Sequence, residues 1–273
     1  KEMKDYVMFS FELYKNNPYW IPPIIAEELE TFDKTKNPAL QTAEAHFYLA
    51  YKDNKIVGKI AAIINWEEVN LLGKRKARFG WFDAIDDIEV TKALLDKVEE
   101  LGRKHNMDHM EGPMGFSNLD KVGILSEGFD QMGNMITWYS LPYYITHFEQ
   151  LGFIKEKEYT ESDFSFNGIN PEPFQKASEL IKKRYELRSL NFTKTKDIMP
   201  YVDKMFDLFN ETYAKLQSFV PINDIQKEYF KKKYIGFINP EFIKFIVDKN
   251  DNMIAFAIVM PGFAQALKKA NGK

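Results

Sequence analysis

Two adjacent tyrosines and a histidine stand close together in the run LPYYITHFEQLGF, which covers residues 141–153. Tyr143, Tyr144 and His147 carry groups that can donate or accept a proton, and such side chains serve as general acids and bases in group-transfer reactions. If they face a cleft, these three residues are candidate catalytic residues. The alternative is that the tyrosines, which follow a proline, pack in or beside the core and that His147 lies on the surface or packs against its neighbours.

The segment from Phe79 to His105 predicts a strand that turns sharply into a helix. Free backbone N–H groups and the positive end of the helix dipole make such a junction a common binding site for phosphate groups. This turn has no glycine, and Asp86 as the N-cap with Glu89 three residues later is typical of a capping box. We therefore expect the carboxylates to cap the helix themselves and to repel a phosphate group.

A long segment over residues 111–130, EGPMGFSNLDKVGILSEGFD, is unusually rich in glycine and polar residues. Loops often carry the residues that bind a ligand. Asn118, Asp120 and Glu127 are therefore candidate substrate-binding residues, and Asn118 is the first choice. The alternative is a connection that is merely long and rich in turns.

The composition limits the classes of function. The 273-residue chain has a formal net charge of −3, four histidines and no cysteine. Neither nucleic acid nor a membrane is an expected partner, and the scattered histidines predict no metal site. The lack of cysteine excludes disulfides and thiolate chemistry. The longest apolar runs are too short to span a bilayer, and we expect a cytoplasmic protein.

The spacing of the apolar residues predicts the elements that position these groups. The first 167 residues contain one layer of helices and strands. The predicted elements are a helix over residues 3–15, a hairpin over 46–65, a strand over 77–84, a helix over 87–105, a strand near 110, a short helix after 141 and a closing strand that ends near 167. This order is typical of the α/β (α+β) fold class.

The same order of elements begins again after residue 167. The repeated elements are a strand, a helix and a second hairpin, over residues 184–192, 200–216 and 241–261. Trp20 and Phe219 begin matching Pro-containing segments in the two halves. We interpret the chain as two related domains, over residues 1–167 and 168–273, and the second is expected to be incomplete after its hairpin.

Several motifs of this chain resemble the GNAT superfamily of N-acetyltransferases. The hairpin YLAYKDNKIVGKIAAII has a counterpart there, and YITHFEQLGF is similar to the signature A-x-x-L-Y-E-K-L-G-F. The motifs NPYWIPP, FGWFDAIDD and EGPMGFSN extend the resemblance to a bacterial family of tandem GNAT-like proteins. The resemblance implies two GNAT-like acyl-CoA N-acyltransferase folds in tandem, with mixed, mostly antiparallel central sheets flanked by helices.

The resemblance also implies a cofactor site. A GNAT protein holds the pyrophosphate of acetyl-CoA in a glycine-bearing loop between its central strand and the following helix. The corresponding cofactor-binding positions here are Phe82, Asp83, Ala84, Ile85 and Asp87. Because the loop glycines are missing, we expect acetyl-CoA, as the co-substrate, to be held mainly by the second domain, once the strands expected after its hairpin are present.

In many GNATs the tyrosine of the signature protonates the departing thiolate, and Phe148 stands at that position here. Tyr143, Tyr144 or His147 would have to replace it. The resemblance predicts an acyl-CoA-dependent N-acyltransferase that acetylates a small-molecule or peptide amine, with a homodimer as a further expectation. The alternatives are a non-catalytic GNAT-like protein that binds a ligand or partner, and a Fem-type aminoacyl transferase that uses aminoacyl-tRNA.

Overall fold

A computed structural model of the chain describes residues 2–117, 119–134, 136–216 and 219–273. The helices in these ranges are α1 (Glu2–Leu13), α2 (Ile25–Thr31), α3 (Ala39–Thr42), α4 (Trp66–Leu72), α5 (Ile88–Lys104), α6 (Tyr143–Gln150), α7 (Glu172–Tyr185), α8 (Thr195–Tyr213), α9 (Asp224–Phe230) and α10 (Ala264–Ala270). The strands are β1 (Ala43–Lys52), β2 (Lys55–Asn65), β3 (Lys76–Ala84), β4 (His109–Glu111), β5 (Arg188–Leu190), β6 (Ile243–Val247) and β7 (Met253–Ile258).

The elements divide into two compact units. The first unit contains α1 to α6, β1 to β4 and α10, and the second contains α7 to α9 and β5 to β7. In the ranges given above each unit has one sheet, and the predicted α/β (α+β) class with mostly antiparallel sheets is confirmed. The domain boundary predicted after residue 167 stays a prediction.

The sheet of the first unit has the order β1-β2-β3-β4. The first three strands are antiparallel, whereas β4 runs parallel to β3. The predicted hairpin is confirmed as β1 and β2, and its turn residues Asp53 and Asn54 have φ of 50° and 60°. Asn and Asp tolerate this left-handed conformation, which two-residue hairpin turns require.

Strand β3 carries a bulge close to its end. Lys59 pairs with Asp83 and Ala61 pairs with Gly80, so two residues of β3, Trp81 and Phe82, stand opposite a single residue of β2. Trp81 has φ of 46°, a conformation that is rare for a bulky residue and marks a strongly bent backbone. The bulge therefore redirects the last residues of β3.

The parallel pairing of β3 and β4 extends over only three residues, Lys76 to Arg78 on β3. A buried ionic cluster lies at this point. Glu68 is 3.0 Å from Lys76 Nζ and 2.8 Å from Arg78 Nε, and Lys76 Nζ also contacts Glu111. Because a buried charge without a partner is costly, these pairs must stay together. The last pair of this ladder, Arg78 with Glu111, belongs to the cluster.

Apolar residues cover both faces of this sheet. Helix α5 packs on one face through its predicted stripe of Val90, Leu94, Val98 and Leu101, all of which are buried. Helix α1 packs on the other face through Tyr6, Val7 and Phe11. Both predicted helices are confirmed, and between them they hold β3 in the centre of the first unit.

The second unit has an antiparallel sheet in the order β5-β6-β7. The predicted second hairpin is confirmed as β6 and β7. Helix α8 buries Ile198, Val202, Met205 and Phe206 in the core of this unit. Within the part of the chain that the structure describes, no helix is long and apolar enough to cross a lipid bilayer.

The predicted closing strand of the first domain is wrong. Residues 155–166 form no strand, and the side chains of this segment are exposed. Ile154 keeps 86% of its accessible surface and Phe166 keeps 76%. The alternation of aromatic and polar residues resembles a strand, but a strand forms only where a neighbouring strand accepts its hydrogen bonds.

The close approach of the loop after β4 to β3 gives a stability prediction. A Cβ atom at Gly80 would lie 2.2 Å from the carbonyl oxygen of Met114, whose own N–H group donates to Phe79 O at 2.7 Å. Because this backbone cannot move freely, Gly80→Ala is expected to lower the free energy of unfolding by about 2 kcal/mol. Denaturant titration measures the change.

The control for this prediction is Gly262→Ala, because nothing lies within 4 Å of a Cβ atom built there. That variant is expected to unfold at the same denaturant concentration as the original chain. Equal stability of the two variants would contradict the close packing of the loop on β3.

Candidate functional site

The carboxylate of Asp83, next to the last residue of β3, is the centre of the candidate site. Ser10 Oγ donates to Asp83 Oδ2 at 2.6 Å, and the Tyr14 hydroxyl donates to Oδ1 at 2.8 Å. Lys59 Nζ lies 3.6 Å from Oδ2. Only 13% of the Asp83 side chain is exposed. Residues from α1, from the turn after it and from β2 therefore converge on one buried negative charge.

Tyr144, one of the predicted catalytic residues, contacts the same carboxylate. Its hydroxyl proton is shared between Asp83 Oδ1 and the carbonyl oxygen of Ala84, each 3.3 Å away. Its hydroxyl oxygen accepts the N–H group of Ala84 at 3.0 Å. Tyr144 is fully buried. Its packing is therefore that of a core tyrosine, which is the alternative to a residue that faces a cleft.

The second predicted tyrosine covers the same strand end. The hydroxyl of Tyr143, which is half-buried, donates to the carbonyl oxygen of Ala84 at 2.8 Å. Burial and the nearby charge of Asp86 raise the pKa of this phenol. The predicted catalytic residues Tyr143 and Tyr144 are thus in direct contact with predicted cofactor-binding residues, Asp83 and Ala84. The N–H and C=O groups of Ala84 are both hydrogen-bonded to these phenols.

Burial also raises the pKa of Tyr14 and of Tyr144 well above the usual value for a phenol. The negative charge of Asp83 adds to the increase in both cases, because it opposes a second negative charge nearby. Both phenols therefore keep their protons through the physiological range. They can act as hydrogen-bond donors to the carboxylate throughout that range.

His147 is buried on the face of α6 that is turned toward α5, so of the two non-catalytic alternatives, surface or packing, its position is that of a packed side chain. Its Nδ1 atom lies 2.9 Å from Thr91 Oγ1, and its Nε2 atom lies 3.2 Å from Asp86 Oδ1. The burial of His147 agrees with its position on α6, because Tyr144, His147 and Phe148 form the buried face of that helix. It links α6 to the turn before α5.

The cap of α5 is one residue later than predicted, so the assignment of Asp86 as N-cap is wrong. Asp87 is the N-cap, and its Oδ1 atom accepts the N–H group of Glu89 at 3.1 Å. Ile85 still donates its N–H group to Val57 O at 2.9 Å. This bond keeps Ile85 beside β2, so the chain enters the helix one residue further on.

The turn before α5 is closed to an anion by its own groups. Asp87 Oδ2 pairs with Lys52 Nζ at 2.9 Å, and this contact is the main cause that lowers the pKa of the carboxyl. The N–H groups of Val90 and Thr91 donate to Asp87 O. A phosphate group placed here would meet the negative charges of Asp86 and Asp87 and would find the N–H groups of Glu89, Val90 and Thr91 already bonded to Asp87.

The other predicted cofactor-binding residues belong to the core. Phe82 is buried, with its ring centroid 4.9 Å from that of Tyr144 and 5.2 Å from that of Phe148. Ile85 packs against the same apolar cluster. Their side chains therefore support β3 and α6.

The predicted substrate-binding residues lie in different settings. Asp120 Oδ2 accepts the N–H group of Ser117 at 2.8 Å, so this carboxylate helps to shape its own loop. Glu127 is exposed. Asn118 lies outside the residues that the structure describes. Their roles in binding stay predictions.

Sequence reasoning missed Ser10, Tyr14 and Lys59 as parts of the site. Lys59 offered the clearest signal, because a lysine in the middle of the apolar strand IVGKIAAII must find a buried partner. Ser10 and Tyr14 gave little signal, since a serine and a tyrosine are common in helices that pack on a sheet.

The arrangement is suited to proton transfer. Asp83 Oδ1 accepts hydrogen bonds from both Tyr14 and Tyr144, and these three groups form a continuous chain. Among the residues that the structure describes, no group of three or more His, Asp or Glu side chains is placed to hold a metal ion.

Comparisons with known proteins gave relatives that cover the whole chain. No protein-family model matches it. Protein YghO of Escherichia coli (strain K12) is 26% identical over 276 residues, which is 99% of this chain and 68% of that protein. A bacterial ceramide synthase of Caulobacter vibrioides (strain NA1000 / CB15N) is 23% identical over 275 residues, which is 100% of this chain and 70% of that protein.

Two solved structures also resemble it. A tandem GNAT protein from the clavulanic acid biosynthesis pathway, solved without acetyl-CoA, matches 95% of this chain and 70% of its own, with a TM-score of 0.44 and 11% identity. A probable acetyltransferase matches 61% of this chain and 91% of its own, with a TM-score of 0.33 and 12% identity.

The position of the N-cap can be tested by mutation. Asp87→Ala removes the side chain that accepts the Glu89 N–H group, and it is expected to lower the melting temperature by about 2–4 °C. Asp86→Ala serves as the matched control and is expected to cost less, because Asp86 contacts His147 and caps no amide. A larger loss for Asp86→Ala would contradict the assignment of Asp87.

The raised pKa values of Tyr14 and Tyr144 predict a loss of stability in alkali. These phenols bind their protons more tightly in the folded chain, so the stability that they contribute is lost as the pH rises above about 10, where unfolded phenols ionise. Tyr144→Phe is expected to be less stable at pH 8 but to lose less stability between pH 9 and pH 11.

The measurement is the melting temperature as a function of pH for the original chain and the variant. Tyr159→Phe, which removes an exposed phenol, is the control and is expected to follow the original chain. Parallel curves for Tyr144→Phe and the original chain would rule out the buried phenol as a cause of alkaline unfolding.

Proposed function

We propose that this chain is an acyl-CoA-dependent N-acyltransferase whose proton-transfer group is the Asp83 cluster, defined as Asp83 with Ser10, Tyr14, Lys59 and Tyr144. The observation that carries the proposal is the buried carboxylate at the end of the bulged strand β3, with hydroxyl groups bound to both of its oxygen atoms. Such a group is expensive to bury, and a chemical role is a reason to retain it.

The chemistry of N-acyl transfer matches this group. The amine nitrogen attacks the thioester carbonyl, the carbon–sulfur bond breaks, one proton leaves the amine and one proton joins the departing thiolate. Asp83, which retains some exposure, would take up the first proton. The phenols of Tyr14 and Tyr144, bound to the same oxygen atom, would stabilise the carboxylate and pass a proton along the chain.

The cofactor is proposed to bind away from the turn before α5. Asp86 and Asp87 would repel the pyrophosphate, and Lys52 is already paired with Asp87. We infer that residues of the predicted second domain, 168–273, supply the main contacts to acyl-CoA. Acetyl-CoA is the donor implied by the resemblance to the GNAT superfamily, and a longer acyl-CoA is the donor to compare with it.

For the acceptor we propose a long-chain amine. A relative of this chain over its whole length is named as a ceramide synthase, and a ceramide is an N-acylated long-chain amino alcohol. The acceptor nitrogen of such a molecule is a primary amine, which agrees with the amine substrate that the sequence motifs imply. The predicted cytoplasmic location and homodimer stay predictions.

A non-catalytic GNAT-like protein is the second candidate. The observation that favours it is the occupied turn: Asp87 caps α5, Lys52 pairs with Asp87, and phenols cover Ala84. Phe148, buried where the superfamily signature has tyrosine, also fits this reading. Such a protein would bind a ligand or partner without turnover.

Turnover assays separate the two candidates. The chain is incubated with acetyl-CoA or palmitoyl-CoA and with sphinganine or short primary amines, and release of free thiol is recorded. We expect N-acylation, with a preference for the long-chain amine. Asp83→Asn is expected to lower kcat by about 100-fold or more, and Tyr144→Phe is the second variant in case the first fails to fold.

Asp96→Asn is the matched control, because Asp96 pairs with Lys92 on the surface of α5 and should leave kcat unchanged. Equal activity of Asp83→Asn and Asp96→Asn would contradict the proposed role of Asp83. Binding of acyl-CoA without turnover of any amine would favour the non-catalytic candidate.

A further inference from the structure

Two buried side chains beside Asp83 carry N–H and O–H groups that have no close acceptor among the residues described. Lys59 is 4% exposed and Tyr6 is 1% exposed. The Tyr6 hydroxyl has no hydrogen-bond partner in the part of the chain that the structure describes. Because a donor without an acceptor is expensive to bury, the pair indicates a place where an oxygen atom of a ligand binds.

Lys59 is held next to Asp83 by charge. Its Nζ atom lies 3.6 Å from Asp83 Oδ2, whereas a normal hydrogen bond from nitrogen to oxygen is about 2.7–3.2 Å long. Ser10 donates to Oδ2 and Tyr14 donates to Oδ1 at shorter distances. The ammonium group therefore contributes its charge to the pair, and its N–H groups retain the capacity to donate to another oxygen atom.

The phenol of Tyr6 lies beside this ammonium group. Lys59 Nζ is 4.9 Å from the centre of the Tyr6 ring, a distance at which a cation is attracted to the face of the ring. Burial, with a smaller contribution from the charge of Asp83, raises the pKa of Tyr6 well above the usual value for a phenol. The hydroxyl therefore keeps its proton and is a donor throughout the physiological range.

The sheet fixes these donors relative to the carboxylate. Lys59 is paired with Asp83 in the ladder of β2 and β3, and paired residues have their side chains on the same face of a sheet. Tyr6 reaches this face from α1, where it packs with Ala61 and Trp81. A group that reacts at Asp83 on this face therefore meets Lys59 and Tyr6.

The backbone donors at the end of β3 are already bonded. The N–H group of Ala84 donates to the Tyr144 hydroxyl at 3.0 Å, and that of Ile85 donates to Val57 O at 2.9 Å. Attack on a carbonyl group places negative charge on its oxygen atom, and enzymes stabilise this oxyanion with donors that are in place beforehand. At this strand end, side chains would have to supply them.

We propose that Lys59, with the Tyr6 hydroxyl as a second donor, binds the carbonyl oxygen of the acyl thioester and stabilises the oxyanion formed there. The inference rests on the proposed acyl transfer, and it assigns Lys59 as a further catalytic residue. Its positive charge, buried next to the carboxylate that takes up the amine proton, opposes the negative charge that develops on the oxygen atom.

The electrons and protons of the reaction are all accounted for. As the amine nitrogen bonds to the carbonyl carbon, one electron pair of the C=O double bond moves to oxygen. As the double bond forms again, the carbon–sulfur bond breaks and its electron pair leaves on the thiolate. Asp83 takes the amine proton, and the thiolate is protonated through Tyr14 and Tyr144, as proposed above. Lys59 and Tyr6 keep their protons in both steps.

Infrared spectroscopy of bound acetyl-CoA, labelled with a carbon isotope at its thioester carbonyl, tests this contact without turnover. Hydrogen bonds from Lys59 and Tyr6 are expected to lower the stretching frequency of the carbonyl below that of the free thioester in water. Lys59→Met is expected to return the frequency to that of the free thioester. The control is Lys92→Met, which removes an ammonium group from the surface of α5 and should leave the frequency lowered.

Turnover gives a second measurement. Lys59→Met is expected to lower kcat by about 100-fold or more, as the loss of one oxyanion donor does, with little change in the KM of acyl-CoA. Tyr6→Phe is the second variant in case the first fails to fold. It removes a hydroxyl without a described partner, so it should keep the melting temperature and lower kcat by about tenfold or more. Tyr159→Phe, at an exposed phenol, is its control.

A carbonyl frequency that is the same in the original chain and in Lys59→Met would overturn this inference, and so would equal kcat values for Lys59→Met and Lys92→Met. Either result would make a water molecule the acceptor of these donors and would leave the proposed acyl transfer intact. A frequency that depends on Lys59, without acylation of any amine, would support the carbonyl contact and contradict acyl transfer alone. Absence of acyl-CoA binding would contradict both proposals.

Discussion

The burial of one carboxylate constrains the whole first unit. Asp83 cannot be removed from water without donors, and its donors come from three separate places: Ser10 and Tyr14 at the start of the chain, Lys59 in β2, and Tyr144 in α6. Because these donors must all reach Asp83, the positions of α1 and α6 are fixed relative to the end of β3.

Because Asp83 requires these donors, the backbone groups at the end of β3 are hydrogen-bonded to side chains and are not free to bind a cofactor. The Tyr144 hydroxyl contacts Asp83 and also accepts the N–H group of Ala84, and the Tyr143 hydroxyl donates to the C=O group of Ala84. The turn that follows is closed by Asp87 and Lys52. The first unit therefore has a buried, hydrogen-bonded carboxylate at the end of β3 and, next to it, a turn whose own negative charges oppose a phosphate group.

Local features were predictable from sequence, and long-range ones were not. The hairpin at Asp53 and Asn54 and the apolar stripe of α5 depend on residues a few positions apart, so their patterns are visible in the chain. The partners of Asp83 in α1 and just after it, Ser10 and Tyr14, are 73 and 69 residues away, and no spacing rule links them to Asp83. The cap moved from Asp86 to Asp87 because Ile85 binds β2, a tertiary contact that capping patterns do not contain.

The central claim is that acyl-CoA binds this protein without using the turn before α5. Hydrogen–deuterium exchange with and without an acyl-CoA tests it directly, read on peptides that cover residues 84–91 and on those from 168–273. The account predicts slower exchange within 168–273 and no change at 84–91, where Asp87 already holds the amides of the helix start. Protection of residues 84–91 by the ligand would contradict it.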